Sequence, residues 1–203
     1  AAEKHNFSGP ALLKGIAVGV EVMCRMCAVA PTKVHKAGFH PTAVFGAIGA
    51  TAGIGAAMKL SEKQLVDALG IAGSMSSGII EYLADGAWTK RIHPGWAAQS
   101  GYRAARLGQQ GFVGPQTVFE GDHGFFYAFA RTADGNSAAR AYTASACSMS
   151  MPNLFILLRR KSKMNLKNTK SPIDWTRATC PIKSWNPPLK SKLAIDLIIS
   201  AIP

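Results

Sequence analysis

The sequence predicts an all-α protein: a helical bundle followed by an irregular C-terminal tail. Up to about residue 134, apolar residues recur at helical spacing between cap and stop signals, and no stretch keeps the strict alternation typical of strands. After Asp134 the chain becomes rich in Ser, Lys, Asn and Pro and shows no clear period. We therefore expect a helical domain over residues 1–134 and an atypical basic tail over residues 135–203, outside the helical fold.

The first long helix has clear boundaries. Ser8 is placed to cap it, Pro10 favours its first turn, and Pro31 stops it after about Ala30. The run between them, ALLKGIAVGVEVMCRMCAVA, is nearly all apolar. A helix that is apolar all round is typically buried, so we expect this one to be covered on most sides.

A second helix is predicted from His40-Pro41 onward. Small residues recur in it at close intervals, among them Gly46, Gly49 and Gly53, and such residues let helix backbones approach each other. In a membrane this pattern would indicate helix association. The run is only weakly apolar, whereas a span needs about 18 or more strongly apolar residues, so we expect a buried helix in a soluble protein.

Further helices follow from local signals. Ser61 and Gln64 form a capping box ahead of a helix that runs to Met75. The segment from Met75 to Tyr82 predicts another short helix. A longer one begins near Pro94 and is ended by Gly111, and a short aromatic helix lies in the run FFYAFA.

The net charge of +12 is unevenly distributed along the chain. Residues 1–140 carry 13 Lys and Arg against 9 Asp and Glu, a balance of +4, whereas residues 141–203 carry 10 against 2, a balance of +8. The basic character therefore belongs to the tail. We expect no specific nucleic-acid partner and no membrane association; a tail-driven binder of either is the weaker alternative.

Cysteine usage and the first residues favour a cytoplasmic protein. Cys24 and Cys27 form a CxxC inside an apolar helical run, which favours core thiols over a metal or redox site. No His, Cys and carboxylate set has metal-ligand spacing, so we expect no metal. The start AAEKHNFSGP lacks the apolar stretch of a secretory signal, and reducing cytosol is the expected compartment.

Two helix starts carry the same pairing of His and Pro. His40 precedes Pro41, and Lys90-Arg91-Ile92-His93 precedes Pro94. A helix N-terminus presents N–H groups and a positive dipole end, so imidazoles and a cation there can bind carboxylates. Taken singly, the first could be a surface N-cap and the second a solvated loop. Taken together, they favour an anion site as much as they favour these two alternatives. Arg91 should point away from Lys90, because adjacent helical residues do not share a face.

Several ordered motifs resemble the MmgE/PrpD family. They are GFHPTAVFGAIGA, the run from LSEKQLVDALG through EYLADGAWTKRIHPGWAAQSG to GFVGP, and VFEGDHGFFYAFA, together covering about residues 7–134. The resemblance implies a helical domain, a smaller α+β lid domain and an active site in the cleft between them. It also implies a homodimer and chemistry without metal or organic cofactor.

The resemblance further implies a role for three residues. His40, Lys90 and His93 match motif positions that line the site for a small di- or tricarboxylate substrate, with His40 and Lys90 as catalytic residues. The implied chemistry moves a proton alpha to a carboxylate. The first expectation is a lyase, a dehydratase similar to 2-methylcitrate dehydratase. A decarboxylase similar to cis-aconitate decarboxylase and an epimerase similar to iminodisuccinate epimerase stay open as alternatives.

The chain also departs from the family pattern. Members carry a further helical region with an Asp and a His before the first matched motif, and a lid domain with a Tyr after the last. Nothing after Asp134 resembles that lid, so we expect a fragment of the helical domain with a foreign end, inactive alone and with residues 141–203 poorly ordered. The alternative is a catalytically inactive remnant or a helical interaction module.

Overall fold

The computed structural model describes residues 1–131 of the chain. This part is all-α, as predicted, and contains no strand. Its α-helices are α1 (Ala2–His5), α2 (Gly9–Val29), α3 (Lys33–Lys36), α4 (Pro41–Ala57), α5 (Glu62–Met75), α6 (Tyr82–Asp85), α7 (His93–Gln109) and α8 (Phe125–Ala130), with a 3-10 helix at Trp88–Arg91. The tail after residue 134 lies outside the described residues, and the domain boundary there stays a prediction.

Helix α4 is the central element of the bundle. It packs against α2, α5 and α7, and twelve of its seventeen residues are buried. The crossing with α2 depends on glycine: a Cβ at Gly19 would lie 2.9 Å from the carbonyl oxygen of Gly49, and one at Gly49 would lie 2.8 Å from that of Gly19. The two backbones are therefore in direct contact, as the small-residue pattern predicted.

The hydrophobic core surrounds α4 and extends to α8. It is formed by apolar side chains of α2, α4 and α5 together with an aromatic group at the end of the described part: Phe119, Phe125 and Phe126. Phe39 joins this group by packing edge-on against Phe129, with ring centroids 5.0 Å apart. Because Phe39 directly precedes His40, this contact fixes the approach of the chain to α4.

The predicted helix signals act where they were expected. The Ser8 hydroxyl accepts a hydrogen bond from the N–H of Ala11 at 3.4 Å, and both hydrogen bonds of the Ser61 and Gln64 capping box are present. Among residues 1–131 no helix is both long enough and apolar enough to cross a membrane. The small-residue pattern of α4 thus serves helix packing.

Two predictions about α2 and the segment after α5 are wrong. Helix α2 is not covered on most sides, since Leu12, Leu13 and Ile16 are exposed; its main partner is α4, on one face. Residues 76–81 form no helix, because Gly78 adopts φ +122° and Phe39 pairs with Ile79 in an isolated antiparallel bridge. Only α6 is helical there. Helices α1 and α3 were not predicted; each is a single turn.

Candidate functional site

His40 occupies the N-cap position of α4. Its backbone is extended, with φ −80° and ψ 113°, and its side chain caps nothing, so the imidazole is available for another contact. Pro41 begins the helix, and the side chain of His40 is half-buried. The imidazole therefore lies at the positive end of the most buried helix of the bundle.

His93 begins α7 and is the direct partner of His40. Its side chain is buried, and its Nδ1 lies 2.9 Å from Nδ1 of His40 in a hydrogen bond. This bond requires that one Nδ1 carry a proton and the other accept it. The bond therefore survives when one of the two imidazoles is protonated but not when both are. The Nε2 atoms are the ring nitrogens that remain for other partners.

The surroundings of His40 oppose its protonation. Burial lowers the pKa of His40 first, and the nearby His93, Lys90 and His35 lower it further by repelling positive charge. His40 is consequently kept neutral at a more acidic pH than an ordinary imidazole. His35, on α3, was not singled out in the sequence because nothing adjacent to it marks a site.

Lys90 reaches the same place from the 3-10 helix. Its ammonium nitrogen lies 6.0 Å from the ring centroid of Tyr82, and that ring packs edge-on against both His40 and His93. The structure thus brings the three predicted site residues, His40, Lys90 and His93, together around one tyrosine. Their roles toward a substrate stay a prediction.

Lys90 has no carboxylate within ion-pair distance among residues 1–131. Asp85, the acid closest to it in sequence, instead accepts a hydrogen bond from the N–H of Ala87 at 2.9 Å. Arg91 points elsewhere, as expected: its guanidinium stacks on Trp88 at 4.8 Å from the ring centroid. The exposed ammonium of Lys90 is therefore the cation at this site that can meet an anion.

Sequence reasoning missed two residues that hold the site. Gly78 accepts a 2.8 Å hydrogen bond from the backbone N–H of His40, and a Cβ there would lie 3.4 Å from the ring of His93. Tyr82 is the last residue of the short helix that the sequence predicts from Met75. A glycine after a serine-rich break, as in SMSSG, was the available signal for a non-helical loop, but no signal marked Tyr82.

Other candidates in the sequence contribute no site. His123 lies exposed in a turn after Asp122, as expected, and packs edge-on against Tyr127. Cys24 is half-buried, but Cys27 reaches the surface of α2, so the core prediction is wrong for Cys27. Although Cys27 reaches the surface, partial desolvation of its thiol by the surrounding residues, and the neighbouring Cys24, raise the pKa of Cys27 to about 11. No cluster of three potential metal ligands occurs in residues 1–131.

Comparisons with known proteins identify the family of the chain. Residues 1–137 match the family model of the MmgE/PrpD N-terminal domain. Cis-aconitate decarboxylase from Homo sapiens is 35% identical over 126 residues, which cover 61% of this chain and 26% of that protein. A cis-aconitate decarboxylase-like protein, oryM, from Aspergillus oryzae is 31% identical over 124 residues, with the same coverage of 61% and 26%. The chain spans about a quarter of the length of these relatives.

Proposed function

This chain belongs to the MmgE/PrpD family, and from that premise we propose that it forms the carboxylate-binding part of a lyase for small di- or tricarboxylates. The observation that carries the proposal is the hydrogen bond between His40 and His93 beside an ammonium, that of Lys90, with no acid partner in residues 1–131. Such a group of cationic and neutral donors suits an anion, and it also contains a base.

Lys90 is the residue that binds a substrate carboxylate. A carboxylate held by an ammonium takes up negative charge more readily, so a proton on the adjacent carbon becomes more acidic. His40 accepts that proton at Nε2 while its Nδ1–H donates to Nδ1 of His93. The lowered pKa of His40 supports this role, because a base must be neutral before it reacts.

Dehydration is the first candidate reaction. The C–H bond alpha to the carboxylate breaks, its electron pair forms the carbon–carbon double bond, and the carbon–oxygen bond at the next carbon breaks. The hydroxide leaves as water after taking a proton. A hydroxy acid similar to 2-methylcitrate is a substrate of this kind, and neither a metal nor an organic cofactor is needed.

Decarboxylation is the second candidate, and the names of the two relatives favour it. Here the bond between a carbon and its carboxylate breaks, carbon dioxide leaves, and the electron pair remains on the carbon. That carbon then takes a proton from an imidazolium. The same residues serve both reactions, since each develops negative charge beside a bound carboxylate; the substrate decides which bond breaks.

A binding experiment on the 203-residue chain tests the site. Citrate, 2-methylcitrate and cis-aconitate are titrated into labelled protein while NMR follows the imidazole signals of His40 and His93. We expect shifts at both imidazoles, weakened by Lys90→Ala and little changed by Arg91→Ala, whose parent side chain stacks on Trp88. Absence of any shift, or equal loss in both variants, would contradict the proposal.

A turnover assay on this chain, taken together with the binding experiment, separates the proposal from a helical interaction module, which would neither bind nor convert the acids. The same three acids are incubated with the chain and the products are measured by mass spectrometry. Because the chain spans a quarter of its relatives, we expect binding without turnover. We also propose cytoplasmic location and homodimerisation for a family-length protein, the latter to be checked by light scattering.

A further inference from the structure

Tyr82 is buried in a way that its own helix does not explain. It is the one buried residue of the four-residue α6 and is 8% exposed, whereas its neighbour Leu83 is 60% exposed. A single turn has no core of its own, so the burial of Tyr82 comes from the residues its ring contacts. The ring contacts all three predicted site residues: His40, Lys90 and His93.

The rings of Tyr82, His40 and His93 form a triangle. Tyr82 stands edge-on to His40 at 5.8 Å and 77°, and to His93 at 5.7 Å and 67°; the two imidazoles are 5.1 Å apart. Edge-on contacts are a preferred geometry for aromatic pairs. A ring that contacts both imidazoles opposes their rotation, and rotation of either one would break the Nδ1 to Nδ1 hydrogen bond.

The same ring is the contact of Lys90. An ammonium about 6 Å from a ring centroid is attracted by the negative face of the ring. Because Lys90 is otherwise exposed, this contact is what keeps its charge beside the imidazole pair. The tyrosine thus orients the two hydrogen-bonded imidazoles and the ammonium of Lys90 at once.

We propose that Tyr82 is the positioning residue of this site, holding His40 against His93 and Lys90 beside them. The reason for positioning these residues, to bind and deprotonate a carboxylate, rests on the proposed function. The contacts themselves do not depend on that function, because all of them are observed within residues 1–131. The aromatic ring is the part of Tyr82 that positions these residues, since it makes the contacts with His40, His93 and Lys90.

The test compares ring-keeping and ring-removing variants by imidazole NMR titration of the whole 203-residue chain. Tyr82→Phe should leave the titration midpoint of His40 and its Nδ1 signal as in the wild type. Tyr82→Leu should raise the midpoint toward that of an ordinary imidazole, because water then reaches His40 and Lys90 moves away. Tyr127→Leu is the matched control, since Tyr127 packs edge-on against His123 at 6.1 Å, and it should leave His40 unchanged.

A folded Tyr82→Leu variant with wild-type titration of His40 would overturn the proposal, as would a Phe variant that behaves like Leu. A merely structural role would lower the melting temperature without moving that midpoint. A second measurement needs no variant: nuclear Overhauser contacts should join the Tyr82 ring protons to both imidazoles, and their absence from either one overturns the geometry. If these results hold while no carboxylate binds, the proposed function fails and the positioning role stands.

Discussion

The carbonyl oxygen of Gly78 accepts a hydrogen bond from the backbone N–H of His40 at 2.8 Å. The same glycine lies against the ring of His93, and Ile80, two residues later, donates its N–H to the carbonyl oxygen of Gly38. One loop after α5 therefore holds the chain before α4 and touches the first residue of α7. The two helix starts that carry the imidazoles are joined through this loop.

Replacing Gly78 should be more costly than replacing another glycine of positive φ. A Cβ at Gly78 would lie 2.6 Å from Cβ of Ala43, whereas nothing lies within 4 Å of one at Gly86. Gly86→Ala should lower the free energy of unfolding by about 1–2 kcal/mol, the cost of a left-handed residue with a side chain. Gly78→Ala should cost at least about 1 kcal/mol more through overpacking. Urea unfolding measures both, and equal losses would refute the close contact.

Removing the ammonium at the site should slow the chemistry. In an active protein that carries this domain, Lys90→Ala should reduce kcat/KM at least about tenfold, a loss of roughly 1.4 kcal/mol of transition-state stabilisation. Arg91→Ala, one residue away, should have a smaller effect because its side chain stacks on Trp88. Steady-state kinetics with each candidate acid measures both variants. An enzyme indifferent to Lys90→Ala would show that another cation binds the carboxylate.

Acidification should lower the free energy of unfolding, because it protonates His40. Its pKa is lower in the folded state than in the unfolded chain, so the unfolded chain binds more protons between the two values. The contribution of His40 to the free energy of unfolding is complete above the ordinary imidazole pKa of the unfolded chain. It is lost as the pH falls through the lower pKa of the folded state. His40→Gln should flatten this part of the curve of unfolding free energy against pH, while the exposed His123→Gln should not. A curve unchanged by His40→Gln would contradict the burial and repulsion assigned to His40.

The backbone contact between α2 and α4 predicts that two helical glycines differ in how much their replacement by alanine changes stability. Gly49→Ala places a Cβ 2.8 Å from the carbonyl oxygen of Gly19, so α2 must move and the free energy of unfolding should drop by about 1–3 kcal/mol. Gly95→Ala, in α7 with nothing within 4 Å, should be neutral or raise stability by up to about 1 kcal/mol through helix propensity. Thermal unfolding compares them. A Gly49→Ala variant as stable as Gly95→Ala would exclude the close crossing.

Local signals allowed much of the fold to be predicted. The Ser8 cap and the Ser61 and Gln64 capping box act within one helical turn, so their helices could be assigned from sequence, as could the start of α4 at Pro41. The all-α class and the family resemblance followed from the same residues and are confirmed.

What sequence reasoning missed depends on contacts between distant residues. The bridge between Phe39 and Ile79 replaces a predicted helix because it joins segments that only the folded bundle brings together. Similarly, His40 and His93 are 53 residues apart, and their two helix starts suggested a shared site but not a direct hydrogen bond. Tyr82 had no signal at all, since its position is defined by the rings around it.

The central position of α4 affects when the site can open. Its backbone amides are enclosed by α2, α5 and α7, so their exchange with deuterated water should require unfolding of the whole domain. His40 lies at the N-terminal end of that helix, where its backbone N–H is held by the carbonyl oxygen of Gly78. Under the proposed function, we expect the short elements beside His40, the single-turn α6 and the 3-10 helix that carries Lys90, to adjust to a bound carboxylate more readily than α4.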